Sequence, residues 1–235
     1  MTGQGPASFL LFSGAGVTLE GWRGLFPAIE KLGSVLAWNR FGAGRSDRPR
    51  QPQTGTLVVS ALREMLQQAQ LPAPYVLVGH SLGGLHANLF ARQHPQEVRA
   101  VVLLEATHPR DREMLKGHES QLAAVLGKLF ELPQRLFRAN LHAEMAQVDE
   151  TARQIASAGP FPPVPLVVVS GGNPPPRWLV PPAAWEARQA HQREFLGLSP
   201  RSELVVAANS GHFPQRSEPQ RVLEVLERVA AAPPA

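Results

Sequence analysis

The chain contains no cysteine. That excludes disulfides, thiolate nucleophiles and any zinc site built on cysteine. Lysine is scarce: only Lys31, Lys116 and Lys128 occur, so arginine carries the positive charge behind the net +4. The arginines are scattered, and no block of like charge forms the basic stripe that a nucleic-acid surface needs. No nucleic-acid partner is expected. No apolar run approaches the roughly 18 residues of a membrane span, so no span is expected either. The opening MTGQGPASFLLF has no basic region ahead of its apolar stretch, unlike a secretory leader. A cytoplasmic location is the expectation. A further absence is local: no Asp or Glu occurs from Thr151 to Trp185.

What is present is a pattern of alternation. Hydrophobic residues make up 43% of the 235 and charged residues 18%, enough to bury the core of one domain spanning 1–235. Short apolar runs lie at Phe9–Phe12, Val35–Trp38, Tyr75–Val78, Val101–Leu104, Leu166–Val169 and Leu204–Ala208. They are continuous rather than alternating in polarity, as in strands covered on both faces. Between them, Val59, Leu62, Leu66 and Ala69 recur at helical spacing, as do Val222, Val225, Leu226 and Val229. Ser217-Glu218-Pro219-Gln220 reads as a capping box opening the last helix. Strands alternating with helices imply an α/β fold with parallel strands and right-handed crossovers. One connection is too long for a single crossover helix. Residues 107–163 carry Leu122, Val125, Leu126, Leu129, Phe130, Leu136, Phe137, Leu141 and Met145 at helix-like positions, and this stretch is expected to be an inserted helical lid.

Residues 75–84 read YVLVGHSLGG. An apolar strand runs into Gly79-His80-Ser81-Leu82-Gly83 and a helical segment follows. A turn this tight strains the serine, and bulky residues two positions to either side would clash, so glycines at 79 and 83 fit. Ser81 then projects at the carboxyl end of the sheet, over the positive end of the next helix. Four other segments complete a resemblance to the α/β-hydrolase superfamily that runs over nearly the whole chain. SFLLFSGAG resembles its first conserved strand and oxyanion loop. WNRFGAGRSDRP resembles the glycine turn after the next strand. VVLLEATHP resembles the strand after the elbow helix, and ANSGHFPQRSEP the histidine loop.

The resemblance implies Ser81 as nucleophile and His212 as its base. It implies an oxyanion hole made of the Leu82 and Ala15 backbone N–H groups, although the loop begins Ser13-Gly14 where the family usually has His-Gly. The family's usual slot for the acid is Ser170-Gly171-Gly172-Asn173-Pro174, which has Asn173 and no carboxylate. Some haloalkane dehalogenases place the acid after the preceding strand, and Glu105 ends that strand here. Glu105 is therefore the expected third member, with a Ser–His dyad or an orienting Asn173 as the other possibilities. Among the remaining histidines, His80 and His86 read as packed or polar neighbours of the nucleophile. His108 reads as a lid-entrance residue, and His118, His142 and His191 as helix-surface residues. No cofactor and no metal are expected. The implied activity is hydrolysis of a small carboxylic ester, lactone or related carbonyl compound through an acyl-enzyme. Perhydrolase, C–C hydrolase, amidase or aminopeptidase chemistry on the same residues, or a ligand sensor with little turnover, are the alternatives. The antiparallel hairpin that usually opens the family's sheet has no sequence left to form. Six parallel strands in the order 2-1-3-4-5-6 are thus predicted, with Ser34–Trp38 an open edge where a homodimer could pair.

Overall fold

The computed structural model describes residues 2, 3, 5, 7–111, 141–178 and 180–232. Its centre is a sheet of β1 (Ala7–Phe12), β2 (Gly33–Ala37), β3 (Tyr75–His80), β4 (Val98–Leu104), β5 (Leu166–Gly171) and β6 (Ser202–Ala207). Their order is β2-β1-β3-β4-β5-β6, and every ladder between them is parallel. The predicted order is therefore the observed one. The edge is not bare, however. Thr2 and Val35 exchange two backbone hydrogen bonds in an antiparallel bridge, at 3.3 and 2.9 Å. A few residues ahead of β1 suffice to reach back along β2, and pairing there satisfies edge groups that otherwise invite another chain.

Both faces of the sheet are covered, which explains the unbroken apolar strands. Leu10, Phe12, Leu77, Val101, Leu103, Leu166 and Val168 point to one face. They meet α2 (Gly55–Gln68) through Val59, Leu62 and Leu66, and α3 (Leu82–Gln93) through Leu85, Leu89 and Phe90. Phe9, Leu11, Val76, Val78, Val102, Leu104, Val167 and Val169 point to the other. There Ile29 of α1 (Phe26–Ile29) and Val222, Val225, Leu226 and Val229 of α8 (Pro219–Ala231) cover them. The α2 N-terminus is capped by Thr54, whose side chain accepts from the Leu57 N–H.

The expected capping box at α8 does not form. Ser217 ends the short α7 (Pro214–Ser217) and donates to the Phe213 carbonyl, while Glu218 is the N-cap residue and accepts instead from the Asn209 N–H. With Pro219 at the first helical position, one terminal N–H that a cap would satisfy is already gone.

Of the expected lid, residues 112–140 lie outside the described residues, and with them Leu122 through Phe137 and His118. The rest of 107–163 includes α4 (Leu141–Ala146) and α5 (Val148–Ser157). Val148 and Ile155 join the core beside α3, and Thr151 Oγ1 accepts from the Gly55 N–H at 3.0 Å. Val148 and Ile155 thus tie α5 to the core, while Leu141 of α4 lies against Gly16 of the loop after β1.

Candidate active site

Because all six strands are parallel, their carboxyl ends gather on one side, and crevices for ligands form there where the strand order reverses. Ser13–Gly16 leave β1, Ser81 leaves β3, Glu105 leaves β4 and His212 follows β6. Ser81 has φ 50° and ψ −123°, a conformation that L residues adopt only under constraint. The constraint is visible in its bonds. Its N–H donates to the Leu104 carbonyl, and its own carbonyl accepts from Gly84 and Thr107. A Cβ at residue 79 would lie 2.8 Å from the Gly84 Cα, and one at residue 83 would lie 2.2 Å from the Phe12 carbonyl oxygen. Both elbow glycines are there for close approach.

The Ser81 Oγ lies 3.1 Å from Nε2 of His212. The histidine loop is steadied by His80, whose Nε2–H donates to the His212 carbonyl at 2.8 Å. Burial keeps His80 neutral and drives its pKa down to about 3, with that bond pulling the other way. Burial likewise lowers the pKa of His212, opposed by the Glu105 hydrogen bond and reinforced by the Arg188 charge.

Glu105 is fully buried and has φ +42°. Its Oε1 accepts from the Gly171 N–H at 2.8 Å and the Ser170 hydroxyl at 3.1 Å. Its Oε2 accepts from Nε of Arg188 at 2.9 Å and lies 3.6 Å from Nδ1 of His212. Burial alone would raise this carboxyl. The Arg188 guanidinium, then His212 and the Gly171 N–H, outweigh burial and hold it at about 2. Asn173, at the family's usual acid slot, is exposed, and its N–H donates to the Ser210 carbonyl.

The loop after β1 is held from behind. Arg40 donates through Nη1 to the Ser13 carbonyl (2.7 Å) and through Nη2 to the Gly14 carbonyl (2.8 Å). Its Nε bonds Glu144 of α4 at 2.6 Å, and Glu144 Oε2 accepts from the Gly16 N–H at 2.8 Å. Trp22 adds an indole N–H donated to the Ser13 hydroxyl at 3.0 Å. A Cβ at Gly14 would meet the Ser81 Cβ at 3.2 Å, so the loop passes directly beside the nucleophile. With the Gly16 N–H engaged by Glu144 and the Val17 N–H by the Gly14 carbonyl, the Ala15 N–H takes no part in these bonds. Leu82, as the first residue of α3, has no intrahelical acceptor for its N–H.

Arg188, Arg40, Glu144 and Asp111 have no counterpart in the sequence reading. Their charged partners are distant in the chain, and no local pattern marks those pairings. His191 is a correction: it is largely buried, not a surface residue, and its Nδ1 lies 2.6 Å from Asp111 Oδ1. A helical register alone could not reveal a carboxylate arriving from the loop after β4. Among the described residues, His108, His191 and Glu194 come close enough together to suggest a metal. The donor set is already committed. Arg110 pairs with Glu194, and the Arg110 N–H donates to Nδ1 of His108, which puts the imidazole proton on the Nε2 that faces Glu194. No described helix is long and apolar enough to cross a membrane.

Residues 7–189 match a family model described as alpha/beta hydrolase fold. The chain is 25% identical over 228 residues to YqjL of Bacillus subtilis, covering 94% of this chain and 82% of that one. A Schizosaccharomyces pombe protein is 42% identical over only 72 residues, which is 31% of this chain and 14% of that protein's length. Among solved structures, a thermophilic esterase from Thermogutta terrifontis superposes with a TM-score of 0.67 at 21% identity, over 98% of this chain and 92% of that one. An enol-lactonase from Burkholderia xenovorans superposes with a TM-score of 0.69 at 19% identity, over 98% and 95%.

Proposed function

The chain belongs to the alpha/beta hydrolase fold family, and from that premise we propose that it is a serine hydrolase acting on a small carboxylic ester, lactone or related carbonyl compound. One observation carries the proposal: a serine on a strained elbow with its Oγ 3.1 Å from an imidazole nitrogen. The esterase and the enol-lactonase that share the fold support the substrate class.

In this reading His212 Nε2 takes the Ser81 proton as Oγ attacks the carbonyl carbon. The oxyanion that forms accepts hydrogen bonds from the Leu82 and Ala15 N–H groups. Collapse expels the alkoxide, which takes the proton from Nε2. Water then attacks the acyl-enzyme with His212 again as base, and Ser81 is regenerated. Glu105 faces Nδ1 and offsets the imidazolium charge in both steps. No step calls for a cofactor.

The test is labelling with a fluorophosphonate, followed by turnover of p-nitrophenyl esters of increasing chain length. The adduct is expected on Ser81, and Ser81→Ala should reduce ester turnover to a small residue. Labelling that persists in Ser81→Ala, or that maps to Ser13 or Ser210, overturns the proposal.

A further inference from the structure

The carboxylate that faces His212 does not face it alone. Arg188, on α6 (Pro182–Glu194), reaches the same carboxylate oxygen. Its Nε donates to Glu105 Oε2 at 2.9 Å and its Nη2 to the Glu105 carbonyl at 2.8 Å. That Nη2 also lies 3.3 Å from Nδ1 of His212, and Nη1 lies 3.6 Å from Asp111 Oδ2. A guanidinium has donors only. Nδ1 therefore has two neighbours of opposite kind, a carboxylate oxygen that wants its proton and a cation that repels it.

We propose that Arg188 is a positioning residue for the His212–Glu105 pair, fixing Glu105 through a two-point fork and standing as a permanent positive charge beside Nδ1. The proposal rests on the reading of Ser81, His212 and Glu105 as the reacting set. Two consequences separate it from a plain structural role. The fork determines where Oε2 sits relative to Nδ1, so its loss lowers turnover more than substrate binding. The charge opposes proton uptake by the imidazole, so His212 remains a base to lower pH than it would beside a neutral residue.

Among the described residues, the other groups facing His212 are few. Glu105, after β4, pulls in the opposite direction, as does Asp111 from the loop that follows. His80, at the end of β3, is buried and neutral, with its ring 5.0 Å away. Ser81 carries no charge. Arg188 is thus the one fixed cation among them.

The experiment compares Arg188→Gln and Arg188→Lys with the unaltered chain, using kcat and KM for one p-nitrophenyl ester across pH. Gln keeps an N–H donor and removes the charge. Its acid limb in kcat/KM is expected to rise by about one pH unit, with kcat at least about tenfold lower. Lys keeps the charge and removes the fork. Its acid limb should stay where it is while kcat falls, with KM little changed. An acid limb that stays put in Arg188→Gln overturns the proposal. So does one that rises in Arg188→Lys, or a Lys variant with full kcat. If Arg188→Gln fails to fold by circular dichroism, the Lys variant decides alone on the same two criteria. Failure of the underlying reading has a different signature, because the unaltered chain would then carry no fluorophosphonate adduct on Ser81.

Discussion

Glu105 is a glutamate at a positive φ, in a buried place, with four donors or acidic protons converging on it. Holding a non-glycine residue in that conformation costs on the order of 1–3 kcal/mol, and such strain persists only where the surroundings over-determine it. Here they do. The Glu105 N–H continues the sheet ladder to the Val169 carbonyl, and the side chain is held at both oxygens. Removing its charge should therefore act on catalysis. Glu105→Gln is expected to lower kcat by something on the order of 10²–10⁴ with little change in KM. Asn173→Ala, at an exposed position, should leave kcat unchanged. Steady-state kinetics on one ester decides this, and the reverse ranking would move the acid's role to the Asn173 loop.

Between elements, the notable coupling joins α4 to the loop after β1 through the buried Arg40–Glu144 pair, with side chains 4% and 3% exposed. Removing one partner of such a pair strands the other charge and typically costs about 3–5 kcal/mol. Glu144→Ala should lower stability in urea by an amount of that order. It should also lower kcat, because the Gly16 N–H loses its acceptor and the Ser13 and Gly14 carbonyls lose a firmly held donor. Retained stability and retained kcat together would show the pair to be ornamental. This coupling was not legible in the sequence, since its partners stand 104 positions apart, just as Arg188 and Glu105 stand 83 apart. The strands and the elbow were legible for the opposite reason. Continuous apolar runs such as Val76–Val78 and Val101–Leu104 state their burial locally, and Gly79 and Gly83 bracket Ser81 within five residues. Glu105 lay between the two cases: its position at a strand end was readable, while the guanidinium that keeps it charged was not. Ser217 shows the converse error, a local motif overridden because α7 runs up to the residue that would have been the cap.

For the molecule as a whole, the buried histidines set its response to acid. Burial holds both His80 and His86 at about 3, well under the usual 6.5, with the Arg40 charge adding to the effect on His86. The unfolded chain takes up these protons near pH 6.5, whereas the folded chain refuses them until about pH 3. Stability should therefore be greatest above pH 6.5 and fall as the pH drops through that window. Glu105, held at about 2 against a usual 4.5, extends the loss below pH 4.5. Thermal melts at pH 7.5, 5.5 and 4.5 read this slope directly. His86 offers a control, because its Nδ1 is buried without a hydrogen-bond partner among the described residues. A leucine of similar bulk there should keep the fold and flatten the slope. A slope unchanged in His86→Leu would place the acid sensitivity elsewhere.

The Trp22 indole has a use beyond steadying the loop after β1. It is buried, and its N–H is bonded to the hydroxyl of Ser13, within the segment that passes beside Ser81. Indole emission responds to that bond and to the polarity around the ring, so the protein carries its own optical gauge of the loop. With the other three tryptophans replaced by phenylalanine, stopped-flow fluorescence would time the loop's adjustment to an arriving acyl group without any attached dye.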